Sequence, residues 1–410
     1  MERKKIELLA PAGDMERLQM AAAYGADAVY IGGRQFSLRS RASNFTLEDI
    51  REGAAFAREH GAAVHVTVNM LPHEDDFDGL KEYVEQLCEA GVHALIVASP
   101  AIARFVVQHF PQLEVHISTQ HSTTNSSAIR FWKQMGMHRV VLARECSLAQ
   151  ITETTRHSVL PVEVFIHGGM CISYSGRCVL SNHMTNRDAN RGGCAQSCRW
   201  KYELYQGDTR ISDEQELFSM SSKDLQAAAY IPALIDAGVS SLKIEGRMKS
   251  TYYIATVVHA YRALIDEYME KGVLDASRIA FYEQEIAKAE NRPTSCGFYR
   301  GLPQPGGHLY GVNGAGVTQE YIADVIAYDE VTQTALLQVK NHFRPHIEAE
   351  VFGPHTPSTR FEIGDVCDLE GRPLEVLNQP MQMVRMKCSL PLEEHAMIRK
   401  VYDRSGRHVY

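Results

Sequence analysis

Four cysteines stand close together in this chain, in the pattern Cys171-x6-Cys178-x15-Cys194-x3-Cys198, within a stretch rich in Gly, Ser and Asn. Thiolates are soft ligands, and four of them spaced along one flexible segment can converge on a single metal centre. Structural zinc prefers two tight pairs of about two to four intervening residues. Here the second pair is tight and the first is wide. Iron–sulfur clusters also take four cysteines and tolerate irregular spacing. Spacing alone leaves a cluster, a zinc ion and no metal all open. The remaining five, Cys88, Cys146, Cys296, Cys367 and Cys388, are scattered along the chain and read as small buried hydrophobes.

Further groups suited to chemistry lie on either side of the cysteines. Lys243, Glu245, Arg247 and Lys249 bring three cations and a carboxylate together, an arrangement fit for a carboxylate or phosphate. The competing reading is an ion-pair network in the scaffold. Arg177, Arg187, Arg191, Arg199 and Lys201 surround the cysteines and could seat an RNA backbone or offset thiolate charge. Trp200 and Tyr202 could stack on an extruded base, although Trp200 reads more readily as an anchor for its loop. His116, Ser118 and Gln120 alternate along one apolar run, followed by His121, while His65 and Asn69 mark another. Such alternation turns one set toward a common interior, where His116 and Gln120 would meet substrate. Glu163 and His167 are candidates for proton transfer, with a buried structural acid as the alternative for Glu163. Arg144-Glu145 ends a similar run. Asp14 reads as a helix cap, and the pair Gly32-Gly33 is too short to define a phosphate loop.

The elements that must position these groups follow a regular alternation. Eight short apolar, β-rich runs span 6–12, 27–33, 62–69, 94–99, 114–120, 139–145, 162–168 and 241–246. Segments with apolar residues at three- and four-residue spacing separate them. Eight β-then-α units predict a (β/α)8 barrel of the triosephosphate-isomerase type over 1–275, with an open doubly wound sheet as the alternative. The cysteines fall in an insertion, 169–221, between the seventh strand and a helix expected over 222–238. Loops after barrel strands form the face that carries active sites, so the insertion lands there. A helix is predicted over 249–271, a helical linker over 276–303, and a small barrel-like β-domain over 304–410.

Composition narrows the class. A formal net charge of −8 argues against a general nucleic-acid coating protein, while leaving room for a local basic patch. No apolar run reaches the ~18 residues that would cross a membrane, and the first residues lack the apolar core of a signal peptide. A reducing, cytoplasmic setting is therefore expected.

The run EVFIHGGMCISYSGRCVLS at 163–181 resembles the motif of the collagenase-like peptidase family, family thirty-two of the unassigned peptidases. The continuation NRDANRGGCAQSCRW at 186–200 is similar to its tRNA-modifying branch, the prephenate-dependent tRNA uridine 5-hydroxylation proteins. LLAPAGD at 8–14, LKIEGRMK at 242–249 and CGFY at 296–299 extend the likeness over most of the chain. The resemblance implies oxygen-independent hydroxylation of RNA, with a [4Fe–4S] cluster on Cys171, Cys178, Cys194 and Cys198. It implies tRNA as substrate, a small carboxylate such as prephenate as co-substrate, and a partner protein or second copy in some members. A peptidase, an accessory binding subunit and a ribosomal-RNA hydroxylase are the alternatives. Against the peptidase, the sequence shows no nucleophile elbow, HExxH helix or Cys–His catalytic arrangement.

Overall fold

The computed structural model describes residues 5–38, 44–213, 217–289, 292–309 and 320–401. The chain divides into two compact units, the first built mainly from Ala26–Ile286 and the second from the residues after 316.

The first unit is the expected barrel. Its strands are β1 (Glu7–Pro11), β2 (Ala28–Gly32), β3 (Ala63–Val68), β4 (Ala94–Val97), β5 (Glu114–Ile117), β6 (Arg139–Val141), β7 (Val162–Gly168) and β8 (Ser241–Ile244). All neighbours run parallel, and β8 pairs with both β7 and β1, which closes the ring. Val, Ile and Leu dominate these runs because both faces of each strand are covered, by helices outside and by the packed interior. Helices between the strands start at caps legible in the sequence. Thr46 and Asp49 form a reciprocal capping box at the head of Leu47–Glu59, and Ser250 caps the long helix Thr251–Lys271. No helix among the described residues is long and apolar enough to cross a membrane.

Two departures bear on the site. The helix expected over 222–238 is confined to Ile231–Asp236, preceded by a short turn at Ala228–Tyr230. Asp224–Gln226 instead forms a strand antiparallel to the end of β7, and Thr294–Ser295 pairs beside it. Ladder bonds at an available strand edge outweigh the helical leaning of this segment. Register between β7 and β8 also slips, so that Lys243 faces Phe165 while Ile244 faces His167. The extra residue, Ile166, is a bulge, and it reverses the inside–outside alternation of β7 from that point.

The second unit is a curled antiparallel sheet of seven strands in the described residues, from Tyr321–Asp329 to Met397–Lys400. Ile322, Val325, Leu337, Val351, Val384 and Ile398 lie in its core.

Candidate active site at the barrel mouth

The ends of β7 and β8 set the rim. Gly168 has φ of +102°, and a Cβ there would lie 2.2 Å from the Glu245 carbonyl oxygen. Gly13 is equally confined, since its Cβ would lie 2.2 Å from the Arg247 carbonyl oxygen. These two glycines let the Glu245-Gly246-Arg247 backbone press onto the ends of β1 and β7. Glu245 is thereby held over the mouth, where Oε2 accepts from the Tyr30 hydroxyl at 3.1 Å and lies 3.8 Å from the Arg144 guanidinium. Arg144 also donates to the Gly169 carbonyl and stacks 3.7 Å above the Phe165 ring. Arg144, Glu245, Tyr30 and Phe165 thus form one wall and the floor of the mouth.

The four charged residues of 243–249 do not converge on one anion site. Lys243 turns into the barrel interior. Arg247 is 5% exposed and its guanidinium donates to Ser37, Thr67 and Asn44, so it braces the segment after β2. Lys249 turns the other way, 3.5 Å from the Asp224 carboxylate, with its ammonium over the Tyr253 ring. Strand alternation and the turn after β8 send neighbouring side chains to different neighbours, which spacing alone did not reveal.

Below the mouth lies a buried charge network. Glu163 is fully buried, with Oε1 at 2.8 Å from Lys243 Nζ and Oε2 at 3.2 Å from Arg139. Arg139 also holds Glu7, which accepts from Ser241 at 2.7 Å. Burial alone would raise the Glu163 pKa, but Lys243 and Arg139 outweigh it and hold the carboxyl down to about 2. Both oxygens are engaged by cations, the arrangement of an interior brace rather than of a proton-transfer group.

The histidines need correction too. His116, expected at the mouth, is fully buried and pairs with Glu114 at 2.9 Å, toward the opposite end of its strand. It meets His65 edge-on, 5.0 Å between ring centres. Burial is the main cause that lowers the pKa of both, opposed at His116 by the hydrogen bond to Glu114. His167 is turned by the bulge toward the long helix. Its ring packs against Tyr253 and Tyr261, with Nδ1 at 3.4 Å from the Tyr261 hydroxyl. Burial, aided by Lys249, depresses its pKa to about 3.

The insertion covers the mouth. Glu145, at the end of the segment after β6, accepts from the Ser175 backbone at 2.6 Å and from its hydroxyl at 2.5 Å. Arg177 Nε donates to the Gln120 carbonyl at 2.6 Å. Together they fasten the turn Tyr174–Gly176, which lies between Cys171 and Cys178, over the barrel opening. Arg191 clasps Asp76 and ties the insertion to the segment after β3, while Arg199 reaches the Met170 carbonyl within the insertion. Arg187 and Lys201 are exposed.

All nine cysteines are free thiols. Burial is the main cause that raises the Cys198 thiol pKa, with the charges of Cys171, Cys194 and Cys178 adding to it and Arg199 opposing. This all-sulfur set suits an iron–sulfur cluster or zinc. Among the described residues no three His, Cys, Asp or Glu are gathered closely enough for a single ion, so gripping one would require the thiols to draw in. Trp200 is 42% exposed rather than packed as an anchor, while Tyr202 is held by its hydroxyl to the Ser197 carbonyl. Tyr174, 53% exposed beside the cysteines, was not singled out in the sequence, where an aromatic in a Ser-Gly turn carries no periodic signal.

Comparison with known proteins agrees with this architecture. The chain is 45% identical to tRNA hydroxylation protein P1 of Bacillus subtilis, across 97% of this chain and 95% of the relative. It is 41% identical to the 23S rRNA 5-hydroxycytidine C2501 synthase of Escherichia coli, across 65% of this chain and 40% of that protein. A protein of Porphyromonas gingivalis named collagenase is 33% identical across 80% of this chain and 81% of its own. Residues 317–399 match the peptidase family U32 C-terminal domain. With residues 13–308 matching the main family description, the chain belongs to peptidase family U32.

Proposed function

We propose that this protein is an RNA-modifying enzyme that hydroxylates C5 of a tRNA uridine without molecular oxygen. The observation that carries the reading is the cover itself: a segment bearing four thiols and a surplus of arginines, whose turn between Cys171 and Cys178 is fastened over the barrel mouth. Similarity to the Bacillus subtilis tRNA hydroxylation protein over nearly the whole of both chains supports an RNA substrate, and tRNA over ribosomal RNA.

Cys171, Cys178, Cys194 and Cys198 would hold a [4Fe–4S] cluster, whose chemistry when bound is electron transfer at the mouth. Replacing C5–H by C5–OH oxidises the base by two electrons, so without molecular oxygen the co-substrate must both supply the oxygen atom and take up the two electrons. A small carboxylate such as prephenate fits the family resemblance, with Arg144 placed at the rim to meet a carboxylate. Glu245 and Tyr30 would orient the bound partners, while the insertion excludes water from the mouth. The arginines and lysine of the insertion would attract the RNA backbone in the cytoplasm, where such a substrate resides.

Nucleoside mass spectrometry on tRNA from a deletion strain tests this, with complementation by wild type or by Cys171→Ala. Recovery of 5-hydroxyuridine derivatives with wild type alone is the expected result. An unchanged tRNA profile with altered ribosomal RNA would favour the hydroxycytidine reaction instead. Zinc without iron or sulfide in anaerobically purified protein would overturn the redox part.

A further inference from the structure

Gln120 sits just past β5, in the turn Thr119–His121 under the covering insertion. Its side chain is 5% exposed, and among the described residues its Nε2 has no hydrogen-bond partner. A buried donor left unpaired is costly, so an acceptor is expected to arrive from outside the chain.

The direction of that donor is fixed by a relay. The Leu38 backbone N–H donates to Asn69 Oδ1 at 3.2 Å, and a backbone N–H has no other role available. Asn69 must therefore turn its NH2 toward Gln120, where Nδ2 donates to Oε1 at 2.9 Å. Ser118 Oγ adds a second hydrogen bond to the same oxygen at 3.2 Å. With Oε1 held from two sides, the Gln120 NH2 is left buried and without a partner. The orientation of an amide, ambiguous in isolation, here descends from the main chain. The donor lies close beneath the cover, since a Cβ on Gly176 would stand 3.9 Å from Gln120 Cγ.

Resting on the RNA-hydroxylation reading, we infer that Gln120 determines which pyrimidine the site accepts. Its oriented NH2 donates to the C4 carbonyl oxygen of uracil. Cytosine carries an amino group at C4, which would set two donors face to face, with neither satisfied. A carboxylate oxygen of the co-substrate is the other acceptor of matching chemistry, and the test separates the two.

Two variants probe the relay. In Asn69→Asp the new carboxylate still accepts from Leu38 but cannot donate, so it draws the Gln120 NH2 toward itself and puts Oε1 where the NH2 had been. In Gln120→Leu the donor is removed. Each is expressed in a deletion strain together with a tRNA carrying either uridine or cytidine at the modified position, and hydroxylated nucleosides are quantified. Melting temperature and iron content of each purified variant report on folding.

Wild type should hydroxylate the uridine tRNA and spare the cytidine form. Asn69→Asp should lower the uridine-to-cytidine ratio by about tenfold or more and raise the cytidine product. Gln120→Leu should lower the ratio through loss on uridine alone. A wild type that modifies both tRNAs equally overturns the inference even where neither variant folds. So does a preserved ratio in both folded variants. A preserved ratio joined to a higher co-substrate half-saturation assigns the donor to the carboxylate. If wild type hydroxylates neither tRNA, the RNA reading itself fails.

Discussion

Glu163 shows how a single residue changes meaning once its partners are known. Its sequence position fits a proton carrier, yet Lys243 and Arg139 occupy both oxygens in the barrel interior. Glu163→Gln leaves Lys243 buried without a counter-charge, and should cost about 3–5 kcal/mol in urea unfolding. Replacing the pair together, as Glu163→Gln with Lys243→Met, should recover much of that loss. If Glu163 instead transfers a proton, the single variant would lose turnover while keeping its stability. The pH dependence carries a sign. The folded pKa of about 2 lies below the unfolded value, so its stabilisation is full above about 4.5 and fades as pH falls toward 2. His167 is also depressed, to about 3, because the fold favours its neutral form. Its contribution is complete above the ordinary histidine value of about 6.5 and declines as pH falls toward 3. His167→Phe should therefore flatten the loss of stability between roughly pH 6.5 and 5, a range in which Glu163→Gln changes little. An unaltered slope in His167→Phe would show that the imidazole is not held neutral.

At the scale of elements, the strands were legible and their heights were not. All eight barrel strands follow from short apolar runs bounded by turn residues, because both faces of each strand are covered. Alternation gave the face of His116 correctly as interior, but it carries no information about depth, and the Glu114 contact lies at the strand's far end. Simple alternation would give His167 the same face as Glu163, and the bulge at Ile166 reverses it. The strand Met397–Lys400 went unread because Arg399 and Lys400 look like surface residues. Arg399 is 1% exposed and bonds Glu350 at 2.6 Å, a pairing invisible from local sequence. Glycines, conversely, hid a packing rule: Gly168 matters through the Glu245 carbonyl that touches it. Gly168→Ala should cost about 3 kcal/mol, since it combines positive φ with a backbone clash. Gly61→Ala is the matched control, with φ of +74° and open space around it, and should cost about 1 kcal/mol. Equal melting temperatures for the two variants would mean that the β7–β8 rim yields easily, and would remove its claim to position Glu245.

For the whole molecule the relevant quantity is where charge sits. The chain carries a formal net charge of −8, yet residues 169–201 hold five Arg or Lys against the single carboxylate of Asp188. An acidic protein with one basic segment repels polyanions broadly and admits them at one place. Within that segment the cations divide by role. Arg177, Arg191 and Arg199 are committed to Gln120, Asp76 and Met170, whereas Arg187 and Lys201 are exposed. Exposed Tyr174 and Trp200 stand among them as flat apolar surfaces. Phosphate contacts release counterions and stacking does not, so the two kinds of contact separate in a salt titration. Arg187→Ala and Lys201→Ala should each reduce the slope of log Kd for tRNA against log salt by about one. Trp200→Ala should weaken binding by about 1–3 kcal/mol at every salt concentration and leave the slope unchanged. Arg191→Ala should act differently again, loosening the insertion and lowering iron retention before it alters the slope. If the slope is the same in wild type, Arg187→Ala and Lys201→Ala, then RNA is held elsewhere on the molecule and the insertion serves the thiols alone.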